Sequence, residues 1–288
     1  MKKNTFNFYT LEELNQKETV NEIVDCYVHD DVHFKMLCAN NDCAISRRFF
    51  WNNCYERITL ELWTALCQKI NNKIILDIGA HTGVYSLSAT KSNQSNMVLS
   101  FEPFFMNYAR MSTNFKINDL NPNNLFMFAV GDSNKNNNLK INTNIHYLSS
   151  GGSIVGKGSY ELPIQEISLD AFIKKEDKSK VSLIKIDVEG YEPSVLKGAA
   201  EVIHSSLPLI FFECNQEHVA DYFNSEMSLN YDFFEINDKL GTIKKISKLK
   251  SSKDYFLHNR IAVPKKNNEL KKIFGDLSKK VIKNELRK

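Results

Sequence analysis

Residues Lys73–Ser86 read KIILDIGAHTGVYS: an apolar run with an acidic residue near its end, two glycines four apart, then a helix-like opening. A strand that hands over to a helix through a glycine turn begins a βαβ unit and makes a ligand loop. Gly79 and Gly83 fall as G-x-x-x-G. A dinucleotide fingerprint would read G-x-G-x-x-G and a phosphate loop would end in G-K-[ST], and neither is present. Both of those loops turn a helix N-terminus toward phosphate, whereas Asp77 at the strand end repels phosphate and attracts a cation. The loop points to a cofactor without phosphates and with a positive centre. S-adenosylmethionine fits, its ammonium engaged near Asp77 directly or through water while Gly79 and Gly83 let backbone approach. A purely structural turn would also account for two glycines, so the rest of the chain has to decide.

Before the loop, Thr10 to about Ile70 reads as mostly helical, with Leu60, Trp63, Leu66, Cys67 and Ile70 at helical spacing. After the loop the pattern alternates. VYSLSATKS is a helix, MVLSFE a strand, NYARMSTNFKIN a helix and LFMFAV a strand, which is a βαβ rhythm. An Asn- and Gly-rich stretch, GDSNKNNN and then SSGGSIVGKGS, is too polar and turn-rich for core and reads as loops or an antiparallel excursion. The alternation resumes with ISLDAFI, VSLIKIDV, EPSVLKGAAEVI and PLIFFEC, and YDFFEI, GTIKKIS and HNRIAVP read as closing strands of the same sheet. Pro193 sits near the first turn of its helix, where a missing N–H costs nothing.

The bulk numbers suit one globular domain with a small appendage: 288 residues, 42% hydrophobic, 25% charged, net charge +3. So small a net charge gives no argument for a nucleic-acid partner. Lys265 to Lys288 carries nine Lys/Arg against three Asp/Glu, net +6, with Leu270, Ile273, Phe274, Leu277, Val281 and Ile282 on one helical face. This basic amphipathic helix is expected to dock on its own domain or on a dimer mate. No leader-type apolar region and no run of about 18 apolar residues occurs, so a soluble, cytoplasmic protein is expected. Five of six cysteines lie between Cys26 and Cys67 without a CxxC pair. Cys26, His29, His33, Cys38 and Cys43 would make a loose zinc set, but reduced, mostly buried thiols are the expectation.

Carboxylates at strand ends carry the rest. Glu102 closes VLSFEP, 19 residues after Gly83, where the ribose of an adenosine cofactor lies in a doubly wound sheet. Its carboxylate can accept from both ribose hydroxyls. LIKIDVEGYEP delivers Asp187 and Glu189, and LIFFEC delivers Glu213, to carboxyl ends of neighbouring strands, where ligands of open α/β sheets bind. Methyl transfer from a sulfonium to a hydroxyl needs alignment and a base for the hydroxyl proton. Asp187 is the leading candidate, with Glu189 and Glu213 supporting it or standing in for it. The same residues could instead satisfy loop N–H groups or bind a metal. No His-rich ligand set supports an ion, and no metal site is assigned.

DIGAHTGVYS, SFEP, FAVGD, GGS, ISLDAF, LIKIDVEGYEPSVLKGA and LIFFE, in this order, resemble the FkbM family of S-adenosylmethionine-dependent methyltransferases. The match runs from about Tyr55 to Pro264, and KIDVEGYEPSVLKGA is its most specific part. The resemblance implies an α/β class I methyltransferase (Rossmann-like) fold: a doubly wound, mostly parallel seven-stranded sheet with helices on both faces and a final antiparallel hairpin. Residues 71–264 would form that domain, 1–70 an N-terminal helical, Cys-rich leader, and 265–288 the basic C-terminal helix. It further implies that Asp77, Gly79 and Gly83 form the methionine-end loop and Glu102 the ribose ligand. Ala129, Val130 and Asp132 would lie at the adenine pocket. Tyr55 and Glu56 match an aromatic-acidic pair before the first strand, which brings Glu56 toward the site. His81 stands where many relatives have Asn, a tuned loop since both side chains hydrogen-bond. The insert from Asp132 to Asn144 and the Cys-rich leader lack counterparts and are expected to hold substrate choice.

The expected activity is O-methylation of a sugar, glycan precursor or natural-product hydroxyl, in a protein that could pair as a homodimer. An N-methyltransferase of a small metabolite is the runner-up. A non-catalytic cofactor-binding module is the rival from another class, and the intact loop and carboxylate set speak against it. A nicotinamide oxidoreductase ranks last because the phosphate-cradling glycines are missing.

Overall fold

The structure, a computed structural model, describes residues 5–29, 31–142, 148 and 152–283. Gly151 of the GGS motif, the end of the Asn-rich insert at 143–144 and the last residues of the basic tail at 284–288 lie outside them.

Strands β1 (Glu22–His29) and β2 (Val32–Cys38) come first, followed by β3 (Ile74–Ile78), β4 (Met97–Phe101) and β5 (Leu125–Phe126). Next are β6 (Ala129–Val130), β7 (Lys135–Ile141) and β8 (Tyr160–Ile167), then β9 (Val181–Ile186), β10 (Leu209–Glu213), β11 (Tyr231–Asn237), β12 (Thr242–Ile246) and β13 (Asn259–Pro264). The main sheet runs β12-β11-β13-β10-β9-β3-β4-β5. Pairing is parallel from β5 through β10 and antiparallel through β13, β11 and β12. The expected α/β class holds, but the seven-stranded, mostly parallel sheet is corrected to eight strands in a mixed arrangement. GTIKKIS folds back on YDFFEI through a turn that Gly241 closes by donating to the Asn237 carbonyl at 2.9 Å.

Alternation along the buried strands makes two cores. Ile75, Val98, Leu183, Phe211 and Ile261 point to one face of the sheet, and Leu76, Ile184, Ile186, Ile210 and Phe212 to the other. Helix Arg57–Lys69, helix Val84–Ser92 and the C-terminal helix Asn268–Ile282 cover the first face. That last helix buries Leu270, Phe274, Leu277 and Val281 on its own domain, with the Phe274 ring 4.8 Å from Phe234.

The N-terminal segment expected to be helical is corrected over residues 22–38, which form the antiparallel hairpin β1–β2. Val24, Cys26 and Val28 alternate with exposed neighbours and face Phe34, Met36 and Cys38 in the first core. Amide side chains anchor β2: Asn118 accepts from the Lys35 N–H at 2.8 Å and Asn114 from the Leu37 N–H at 2.9 Å. Asn114 also donates to the Thr82 carbonyl at 2.8 Å, tying the hairpin to the glycine loop. All six cysteines are buried and outside any disulfide.

Two further elements split. LFMFAV is β5 in the main sheet and β6 in a small sheet of order β6-β8-β7, and EPSVLKGAAEVI is two helices, Glu192–Lys197 and Ala200–Ser206. The Asp170 carboxylate starts the second helix by accepting from the N–H groups of Glu201 at 3.0 Å and Val202 at 2.9 Å. Among the described residues no helix is long and apolar enough to cross a membrane.

Candidate active site

The parallel strands β3, β4, β9 and β10 all end at one edge of the sheet, and a cavity of about 490 Å³ opens there. Gly79, His81, Glu102, Val130, Glu56, Asp187, Glu189 and Glu213 line it together, from six separate stretches of chain. Asp77 and Gly83 are not in the lining.

The loop has little conformational choice. Gly79 has φ +79°, and a Cβ on it would sit 1.8 Å from the Asp187 carbonyl oxygen, so the turn and the close approach to the next strand both require glycine. Gly83 has φ +90° and begins helix Val84–Ser92. Between them His81 adopts φ 50°, a left-handed conformation that His and Asn tolerate better than most side chains. Glu56 at φ 39° and Glu189 at φ 53° are also left-handed, so three non-glycine residues with this uncommon backbone meet in one cavity.

Asp77 sits behind the loop. Only 2% exposed, it accepts from the Ser86 hydroxyl at 2.5 Å, and burial pushes its pKa up to about 6 against that bond. The aspartate thus ties strand β3 to the helix after the loop. Glu102 reaches the cavity and clasps the loop: one oxygen accepts from the His81 N–H at 2.8 Å and the other from the Phe104 N–H at 2.9 Å. Burial outweighs these bonds and raises its pKa to about 7. Val130, with Phe104, Phe128 and Ala129, forms an apolar wall beside Glu102. Asp132, expected near this wall, instead pairs with Lys135 at 2.8 Å and does not line the cavity.

The other half of the cavity is acidic. Asp187, Glu189 and Glu213 each offer a carboxylate oxygen, all within 4.8 Å of one another. Such a set could take a divalent cation, but two of its members already have basic protein partners. The Lys185 ammonium lies 2.9 Å from Asp187, and the His258 Nδ1 lies 2.9 Å from Glu213. Glu213 also accepts from the Asn215 amide at 2.9 Å. Burial and the charges of Glu213 and Asp187 push Glu189 up to about 8. Burial and the Asp187 charge raise Glu213 as well. Burial works against charge on His258, but the bond to Glu213 prevails and its pKa lies above the ordinary value. Glu56 accepts from the Tyr85 hydroxyl.

Sequence reasoning missed Lys185, His258, Asn215 and Arg48. Lys185 had a signal, as the lone charge inside the apolar run VSLIKI. His258 and Arg48 had none, because neither stands in a motif and only folding brings them to the cavity.

The methyltransferase FkbM domain model matches residues 77–261. The hexuronic acid methyltransferase AglP of Haloferax volcanii is 26% identical over 133 residues, 46% of this chain and 52% of that protein, so the match spans about half of its length. Among solved structures, the methyltransferase FkbM of Methylobacillus flagellatus aligns at 14% identity and TM-score 0.40, over 66% of this chain and 43% of that one. An S-adenosylmethionine-dependent O-methyltransferase of Thermotoga maritima aligns at 7% identity and TM-score 0.39, over 73% of this chain and 66% of that one. Because the family model covers both the glycine loop and the strand-end carboxylates, the chain belongs to the FkbM methyltransferase domain family.

Proposed function

We propose that this protein transfers the methyl group of S-adenosylmethionine to a hydroxyl oxygen of a sugar or similar polyhydroxylated acceptor. What carries the reading is one cavity that joins a glycine loop clasped by Glu102 to the carboxylates of Asp187, Glu189 and Glu213. Its volume suits a cofactor-sized ligand. The residues fit that cofactor. Glu102 keeps unused lone pairs for ribose hydroxyls, Phe104, Phe128 and Val130 offer a flat apolar flank for adenine, and the acidic half favours a cationic centre. When bound, the cofactor supplies a methyl group on a positively charged sulfur.

The chain's own residues orient the acceptor and take its proton. Asp187, paired with Lys185, holds the acceptor hydroxyl and receives the proton as the new C–O bond forms. Glu189, at about 8, shares that proton with its neighbours. Membership of the methyltransferase family supports the reaction, and the likeness to a hexuronic acid methyltransferase supports a sugar acceptor.

Incubation with labelled S-adenosylmethionine and a panel of sugars and sugar acids tests the reading, with mass spectrometry of the product. An ether-linked methyl group is expected. Label found only on nitrogen, or no transfer although the cofactor binds, rejects it. Asp187→Asn is expected to bind cofactor normally and lose turnover, and wild-type turnover would remove Asp187 from the role of base.

A further inference from the structure

We propose that Arg48 is the carboxylate-binding residue of this cavity, an assignment that deepens the methyl-transfer reading and rests on it. Arg48 reaches the cavity wall from helix Ala44–Asn52 and is buried. Its guanidinium lies 4.1 Å over the Tyr255 ring, and one nitrogen donates to the Tyr9 carbonyl at 3.2 Å. These contacts fix the plane of the group and use one of its five N–H donors.

Among the described residues no carboxylate lies within 4.0 Å of Arg48. Three other buried cations have a carboxylate partner: Arg260 lies 3.3 Å from Glu235, Lys185 2.9 Å from Asp187 and Lys178 2.5 Å from Glu201. A buried cation without a partner is costly, and one placed on the wall of an open cavity meets its anion when a ligand arrives. Apart from His258, whose Nδ1 is engaged by Glu213, the other charged lining is acidic, from Glu56, Glu102, Asp187, Glu189 and Glu213. An anionic ligand group therefore avoids that side and settles at Arg48, and a singly charged carboxylate is repelled less than a doubly charged phosphate. Tyr55, Tyr255 and Phe256 beside Arg48 supply ring faces on which a sugar can lie.

Two ligands could bring the carboxylate: an acceptor that is a sugar acid, or the cofactor through its amino-acid end. Calorimetry on the full chain separates them, using S-adenosylhomocysteine first and then glucuronic acid or glucose titrated into the loaded protein. If the carboxylate is the acceptor's, the wild type prefers glucuronic acid. Arg48→Met then weakens that acid by about tenfold or more and leaves glucose and S-adenosylhomocysteine unchanged. If it is the cofactor's, Arg48→Met weakens S-adenosylhomocysteine by about the same factor. Arg48→Lys keeps the charge and most of the packing, and recovers part of the lost affinity in either case.

Arg48→Met that binds every ligand as the wild type does overturns the assignment. An equal loss for all of them, unrepaired by Arg48→Lys, overturns it too, since that marks a packing role. Failure of the functional reading is a separate result, in which the wild type does not bind S-adenosylhomocysteine at all.

Discussion

The Lys185 side chain, 1% exposed, sets its ammonium 2.9 Å from a carboxylate oxygen of Asp187, a side chain 30% exposed on the cavity wall. Burial opposes charge on Lys185, yet the Asp187 and Glu56 carboxylates hold its proton more tightly than usual. Behind the acidic face of the cavity, then, stands a fixed positive charge that the cavity does not see directly. Replacing it by Lys185→Met leaves Asp187 beside Glu189 and Glu213 without a cation, which raises the proton affinity of the cluster. Turnover at neutral pH is expected to fall about 10- to 100-fold, with the acid limb of the kcat profile moving to higher pH. A pH–rate profile checks this, and a limb that stays in place would show that Lys185 acts only in packing.

In the proposed methyl-transfer reading Glu102 both clasps the loop and meets the ribose, so its loss has two effects. Glu102→Ala removes the acceptor for the His81 and Phe104 N–H groups and for the ribose hydroxyls. S-adenosylhomocysteine is expected to bind about 10- to 100-fold more weakly, equivalent to about 1.4–2.8 kcal/mol. In the wild type the Glu102 carboxyl, pushed up to about 7 by burial, loses its proton as pH rises past neutrality. Because the ionised form accepts more hydrogen bonds, affinity should climb between pH 6 and pH 8, a trend that titration calorimetry at several pH values resolves.

Gly79→Ala is expected to be among the most damaging single-methyl changes in the chain. The new Cβ would lie 1.8 Å from the Asp187 carbonyl oxygen and force an alanine to φ +79°. Backbone strain and the clash together should cost about 3 kcal/mol or more, read from the urea midpoint. A variant as stable as the wild type would mean that strands β3 and β9 separate easily at their ends.

Burial raises a set of carboxyls: Asp77 to about 6, Glu102 and Asp238 to about 7, and Glu192 to about 8. Each folded value lies above the unfolded value of about 4, so the folded protein holds extra protons between those limits. Their contribution is fully present below the unfolded pKa and is lost as pH rises through about 6 to 8. Cofactor-free protein should therefore resist urea better at pH 6 than at pH 8.5. Equal or higher stability at the alkaline value would contradict the buried, protonated state of these groups.

Local pattern carried the βαβ core a long way. Apolar runs such as KIILDI and LIFFEC are buried strands whatever surrounds them, and Gly79 and Glu102 stand at strand ends that any parallel sheet brings to one edge. The hairpin at residues 22–38 was misread although Val24, Cys26 and Val28 alternate with polar neighbours, because a short alternating run amid helical segments competes with a helical reading. The split of LFMFAV was not legible, since β6 leaves the main sheet only because β8 is there to pair with it.

The sequence alone specified the α/β class, the glycine loop after β3 and which carboxylates would meet, because strand ends and glycine turns are local and a parallel sheet gathers them at one edge. Only the tertiary structure decided what those groups are worth. It moved Asp77 behind the loop, set Lys185 against Asp187 and His258 against Glu213, and brought Arg48 to the cavity with no acidic partner among the described residues. Charge and proton affinity depend on burial and on neighbours within a few ångströms, and those neighbours come from parts of the chain that no local pattern connects.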